Sequence, residues 1–184
     1  MVELRFTDEM RQALSSMKGK TFKSYQGAPL HVDGYVLFFG SVRINLGKSA
    51  LDVTNHLETV PFFEDKDDLS CFKCTPVDKG SDFDQCITGP LMEFMVDERI
   101  KSVNIVTDKI SVQNSSYEIE LDTALVIQTE GGFYTFTRDW YFEENITANY
   151  DKKKPIVYDV DKVKEDWENC GENIVTIERR TEEL

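Results

Sequence analysis

Histidine is almost missing from this chain: among 184 residues there are two, His31 and His56. That scarcity removes most of the usual general bases and metal ligands, and neither residue lies in a nucleophile elbow or a metalloprotease pattern. Cysteine is also scarce, at four residues, too few for a disulfide-built scaffold of this length. Free thiols in a reducing compartment are the expectation. No apolar run approaches the roughly 20 residues that span a bilayer. The opening Met-Val-Glu-Leu-Arg-Phe-Thr-Asp has no basic region leading into an apolar stretch, so a cytoplasmic location without membrane contact is expected. The glycosylation-type triplets beginning at Asn114 and Asn145 then read as chance matches.

Basic residues are in deficit: 21 Lys and Arg against 34 Asp and Glu give a net charge of −13. Residues 1–60 hold seven basic and six acidic side chains, a net of +1, so residues 61–184 carry −14. Such a surface repels nucleic acid and anionic lipid and attracts cationic partners.

What is present is strand pattern. From Tyr117 to Phe142, alternating residues line up on opposite faces. Tyr117, Ile119, Leu121, Leu125 and Ile127 share one face; Glu118, Glu120 and Asp122 share the other, which reads as solvated until Ala124 and Val126. Gly131-Gly132 supplies a hairpin turn. Beyond it Tyr134, Phe136, Trp140 and Phe142 read as one aromatic face with Arg138 among them. Further strands are expected at Lys20–Tyr25, across Tyr35–Leu46 with a bend at Gly40, and at Asp52–Val60, Leu69–Val77, Ile100–Val106, Ile110–Val112 and Ile174–Ile177. Glu64–Asp68 reads as a solvated turn, Leu91–Val96 as strand or short helix, and the last seven residues as a frayed tail.

Two helices are expected. Thr7 caps the first, with Asp8 and Glu9 in its first turn and Met10, Ala13, Leu14 and Met17 on one face. The second covers Asp161–Asn169, with Val160, Val163, Trp167 and Cys170 in a stripe and Gly171 closing it. Strands in succession with few helices favour antiparallel pairing. The expected fold is α+β: one domain over residues 1–184, a predominantly antiparallel, strongly curved sheet or partly closed barrel, with an N-terminal and a C-terminal amphipathic helix.

Motifs for chemistry are incomplete. Leu46-Gly47-Lys48-Ser49 resembles the end of a phosphate-binding loop, but Val42 stands where its first glycine belongs and no helix pattern follows, so a tight turn is expected. Cys71, Cys74 and Cys86 would need a fourth zinc ligand, and residues three apart on a strand face opposite ways. Asp82 and Asp84 lack the other ligands of a calcium loop. No cofactor or metal is expected.

Three functions remain, none catalytic by motif. The first is a binding protein whose acidic loops, Glu64, Asp65, Asp67, Asp68, Asp78, Asp82 and Asp84, engage a basic protein partner. In size and acidity the chain is similar to bacterial toxin-immunity proteins, which block basic nucleases by charge complementarity; the likeness is one of composition and covers no motif. The second is a small-ligand protein with an aromatic pocket formed by Tyr134, Phe136, Arg138 and Trp140. There Arg138 either lies at the floor or mouth of the pocket holding an anion or an internal carboxylate, or turns outward at a bulge or the sheet rim. The third is an adaptor that packs Val160, Val163 and Trp167 onto another subunit.

Overall fold

Period-two alternation is carried by most of the chain, and strands that each offer one apolar face must bury it against another layer. In the computed structural model, which describes residues 1–78, 80–83, 89–112, 117–138, 140–169 and 174–184, twelve strands and two helices do so. They are β1 (Val2–Leu4), α1 (Asp8–Ser15), β2 (Thr21–Gly27), β3 (Pro29–Asp33), β4 (Tyr35–Phe39), β5 (Ser41–Asn45), β6 (Ser49–Phe62) and β7 (Asp65–Asp78). Then follow β8 (Met92–Val112), β9 (Tyr117–Thr129), β10 (Phe133–Thr137), β11 (Asn145–Asp151), α2 (Val160–Asn169) and β12 (Val175–Glu183).

The strand order is β3-β4-β11-β10-β9-β8-β2-β5-β6-β7, with β1 beside β9 and β12 beside β8. Among the described residues all pairings are antiparallel except β1 with β9. Two devices fold this ribbon into facing layers. The first is β8, a single strand of 21 residues, whose beginning pairs with β2 and whose remainder, from Ile100, pairs with β9. At the passage Asp97 takes a φ of 54° and Lys101 is an extra, unpaired residue. Extra residues of this kind bend a strand. The second is Gly40, at a φ of 72°, which carries the chain from β4 in one layer to β5 in the other. A glycine takes that left-handed conformation without steric cost. Its N–H donates to the Glu144 carbonyl and its own carbonyl accepts from the Asn55 N–H. Buried Asn55 donates to the carbonyls of Glu143 and Asn145 at 3.0 and 2.9 Å, tying β6 to the start of β11.

Between the layers lies one core: Val42, Ile44, Val53 and Phe72 face Phe38, Leu125, Ile127, Phe136 and Ile146. The hairpin β9–β10 has its turn at Gly131-Gly132, held by Glu98, whose carboxylate accepts from the Gly131 N–H at 3.1 Å. A Cβ on Gly131 would fall 2.2 Å from that carboxylate. A second core contains Ile110, Ile119, Leu121, Val60, Leu69 and Tyr141 with Val163 and Trp167 of α2.

Several expectations are corrected. The partly closed barrel with two amphipathic terminal helices is not formed: the structure is 63% strand and 10% helical, and the sheet is not closed. β3 and β7 remain its ends. The helices have 8 and 10 residues, and each terminus of the described chain is a strand, β1 or β12, rather than a helix. Thr7 does cap α1, accepting from the Met10 N–H. Val163 and Trp167, 2% and 4% exposed, pack on this chain's own aromatic core rather than facing another subunit. Cys170 and Gly171 lie outside the described residues.

Tyr35–Leu46 is two strands in different layers, and Met92–Val112 is one continuous strand instead of three segments. Asp65–Asp68 belongs to β7, leaving Phe63-Glu64 as the turn. Leu46 donates to the Ser49 carbonyl across Gly47, so the phosphate-loop likeness resolves to a hairpin turn. The supposed frayed tail is β12, paired with β8 from Val175 to Glu183. Arg179 there donates to both oxygens of Asp108, at 2.6 and 2.7 Å, and Asp108 is fully buried.

A buried carboxylate stripped of its partner is strongly destabilising. Arg179→Ala is therefore expected to lower unfolding free energy by about 3–5 kcal/mol, read from urea denaturation. Removing Arg180, whose side chain is half exposed, should cost far less.

Candidate functional site

Arg138 follows directly on β10 and points inward. It is 3% exposed. Its guanidinium donates to the carbonyl and hydroxyl of Ser70 on β7 and, at 2.7 Å, to the carbonyl of Asp122 on β9. Its centre lies 5.5 Å from the Phe72 ring and 5.6 Å from that of Tyr141. Phe72 belongs to the core between the layers and Tyr141 to the second core, so Arg138 spans their boundary. Burial pulls its pKa below the usual guanidinium value, while Tyr141, Cys71, Asp122 and Asp108 oppose that shift.

The reason for this placement is a face switch in β9. Val106 pairs with Ala124 and Thr107 with Asp122, leaving Thr123 as an extra residue. Leu125 and Ile127 serve the core between the layers, whereas Ile119 and Leu121 serve the second. The Arg138 N–H bonds to the Thr123 carbonyl at this step. The outward placement of Arg138 is thus replaced by a structural one. The carboxylate face read as solvated is covered as well: Asp122 is fully buried, accepting from the Phe6 N–H at 2.7 Å and the Thr107 hydroxyl at 2.6 Å. Glu120, 8% exposed, meets Arg5 and Arg180.

The four residues grouped as an aromatic pocket are separated. Phe136 fills the core between the layers and Tyr134 packs on Phe22 and Tyr150 at its margin. Trp140 meets the rings of Tyr141 and Phe142 at a tilt beside the second core. The aromatic face ends because β10 stops at Thr137 and a turn follows at Tyr141-Phe142. The cavity beside Arg138 measures about 10 Å³, the space of one water molecule. Asp139 lies outside the described residues.

Cys71 and Cys74 are free, buried, and on different cores. Burial pushes their thiols up to about 11 and about 12. Cys86 lies outside the described residues, and among those described no group of His, Cys, Asp and Glu could hold a metal ion. His56 on β6 lies 3.3 Å from Glu58, whose pKa is lowered mainly by the hydrogen bond from Lys73.

The acidic positions divide between the two ends of the β6–β7 hairpin. Glu64, Asp65, Asp67 and Asp68 surround its tip; Asp78 ends β7 and Asp82 lies in the following loop. At about 3.3 Å per residue the ends stand roughly 40 Å apart along the strand. Asp84 lies outside the described residues.

The tip has a feature that the charge pattern alone did not single out. Phe62 and Phe63 precede the acids and dock the tip on an aromatic bed. Phe63 stacks on Tyr117 at 4.8 Å, and Phe62 meets Phe142 and Trp167 at 5.7 and 6.0 Å. Tyr117 donates to the Pro61 carbonyl at 3.2 Å. Phe63 adopts a φ of 54°, uncommon outside glycine, and remains 40% exposed. Among the described residues none of the four tip carboxylates forms an ion pair. The readable sign was Pro-Phe-Phe set directly before an acidic run, since a turn that is merely solvated has no need of two phenylalanines.

Comparison of the chain with protein-family models, curated proteins and solved structures finds no match. No helix among the described residues is long and apolar enough to cross a membrane.

Three outcomes test these assignments. Arg138→Ala and Arg138→Lys are both expected to lose about 1–3 kcal/mol of stability in chemical denaturation, because carbonyls of two strands lose their donors and an ammonium cannot reproduce the planar fork. The thiols should be inert to a disulfide reagent at neutral pH until the protein unfolds. Because the folded thiol values are raised, their contribution is complete below the unfolded value of about 8.5 and is lost as pH rises towards the folded values. Thermal midpoints should fall across that alkaline window, and less steeply in Cys74→Ala.

Proposed function

We propose that this chain is a binding protein that meets a basic protein partner with the acidic tip of the β6–β7 hairpin. The carrying observation is the exposed Phe63 ring, seated on Tyr117 at a hairpin tip that also carries Glu64, Asp65, Asp67 and Asp68, which form no ion pair among the described residues. An aromatic anchor on a rigid support makes a compact contact centre. Unpaired carboxylates around it steer a cationic partner and set its orientation. The −14 charge of residues 61–184 extends that attraction over the surface. The partner that fits presents Arg or Lys beside an apolar depression. Occlusion of a basic toxin, as an immunity-type inhibitor performs, is the form of binding that acidity and size favour. Asp78 and Asp82, at the other end of the hairpin, contribute to the general field rather than to this contact.

An arginine-rich peptide serves as a probe partner, followed by fluorescence anisotropy over a range of salt. Neutralising the tip with Glu64→Gln, Asp65→Asn, Asp67→Asn and Asp68→Asn should weaken binding at least about tenfold and flatten its salt dependence. Phe63→Ala should weaken binding with the salt dependence kept. Tip variants that bind as the parent does would reduce the acidic tip to a solubilising feature.

A further inference from the structure

On the outer face of the layer formed by β2, β5 and the start of β8, a groove of about 620 Å³ opens near the base of the β6–β7 hairpin. Its floor follows from register. Ser24 pairs with Asn45 on one side and Met95 on the other, and Gln26 pairs with Glu93. Glu93 and Met95 therefore share the outward face of β8 and line the groove together with Leu91, which precedes the strand, while Phe94 and Val96 turn into the core. A hydrogen-bond relay orients the carboxylate: Asn45 Nδ2 donates to Ser24 Oγ at 2.9 Å, and Ser24 Oγ donates to Glu93 at 2.5 Å. Ser24 is 1% exposed, so the relay is a built part of the sheet.

Charge in the groove is unbalanced. Arg43, 3% exposed, is spent: it holds both oxygens of Asp52 at 2.6 and 2.8 Å and the carbonyls of Ser81 and Asp82 at 2.7 and 3.0 Å. Lys23 is paired with Asp97. Glu93 and Asp82 form no ion pair among the described residues. Beside them Met95 and Leu91 are 72% and 47% exposed. Flexible, polarizable Met side chains adapt to apolar chains. An oriented carboxylate with no ion pair among the described residues, next to exposed apolar side chains in a groove of ligand size, is complementary to one chemistry.

We infer that this groove binds a primary ammonium carried on an unbranched aliphatic chain, the ammonium at Glu93 and the methylenes along Met95 and Leu91. A free diamine and a lysine side chain share that chemistry. This site is separate from the hairpin tip and does not rest on the proposed protein contact.

Isothermal titration of the full chain with cadaverine, with Nα-acetyl-lysine amide and with tetramethylammonium tests it. Cadaverine, the lysine amide or both should bind, and tetramethylammonium should not; which of the first two binds tighter distinguishes a free amine from a side chain as the source. Glu93→Gln, an exposed position whose substitution keeps an acceptor for Ser24, should weaken binding at least about tenfold with the thermal midpoint unchanged. Met95→Ala should weaken it by a smaller factor, and the tip variants should leave it unaltered. Absence of heat with both amines, equal binding of tetramethylammonium, or a Glu93→Gln protein that binds as the parent does would overturn the assignment.

Discussion

A buried guanidinium is costly where its donors are unmet, and Arg138 sends both of its terminal nitrogens to oxygen atoms from β7 and β9 together, while its Nε has no partner among the described residues. The contact works only if the hairpin β6–β7, the bulged centre of β9 and the chain leaving β10 lie in one place. Around it the two cores meet, Phe72 on one side and Tyr141 on the other. The direct contacts are carbonyl and hydroxyl groups rather than a carboxylate, so the arginine acts as a connector of backbone segments. The supporting charges lie farther out, on Asp122 and Asp108. Each of these is itself committed elsewhere: Asp122 to the Phe6 N–H and Thr107, Asp108 to Arg179. The polar interior is thus a chain of obligations that runs from β1 to β12.

The face switch explains why such an interior exists. A regular strand keeps one face towards one neighbour along its length. Here β9 changes neighbours halfway, at Thr123, and its partner β8 changes sheets at Asp97 and Lys101. Apolar residues serve each core in turn, and polar residues fall at the seam, where both faces are covered. Acids such as Glu120 and Asp122 are therefore interior and paired rather than part of the solvated charge. Subtracting them concentrates the effective negative surface on loops and edges, of which the hairpin tip is the densest stretch in sequence. The tip and the groove on the outer face then lie at opposite ends of one long hairpin, with different chemistry: a projecting aromatic among acids at one end, an exposed carboxylate beside Met95 and Leu91 at the other.

Legibility in the sequence followed the range of the interaction. The capped first helix, the stripe of Val163 and Trp167, the Gly131-Gly132 turn and the strand character of most segments were readable, because each depends on residues a few positions apart. The bend at Gly40 was readable as a bend, but its role as the passage between layers required knowing that Asn55 and Glu144 meet it. The charged C-terminal segment looked unstructured because its pairing energy comes from β8 and from Asp108, some 70 positions away. The acidic loops were readable as charge, yet their division between two ends of a hairpin depended on the register of β6 with β7. Glu93 carries no signal in the sequence, since its orientation comes from Ser24 and Asn45 on two other strands.

By itself the sequence determined that this protein is built mainly of alternating strands, carries its negative charge beyond residue 60, and lacks the residue patterns of the familiar catalytic and metal centres. The tertiary structure alone decided that Arg138 is an internal connector, that the sheet stays open, and that Phe63 and Glu93 face outward. The physical reason is that side-chain direction along a strand follows from local geometry, whereas what lies opposite that side chain is set by pairing between distant segments. A single extra residue, as at Thr123, is enough to reverse which face meets which core.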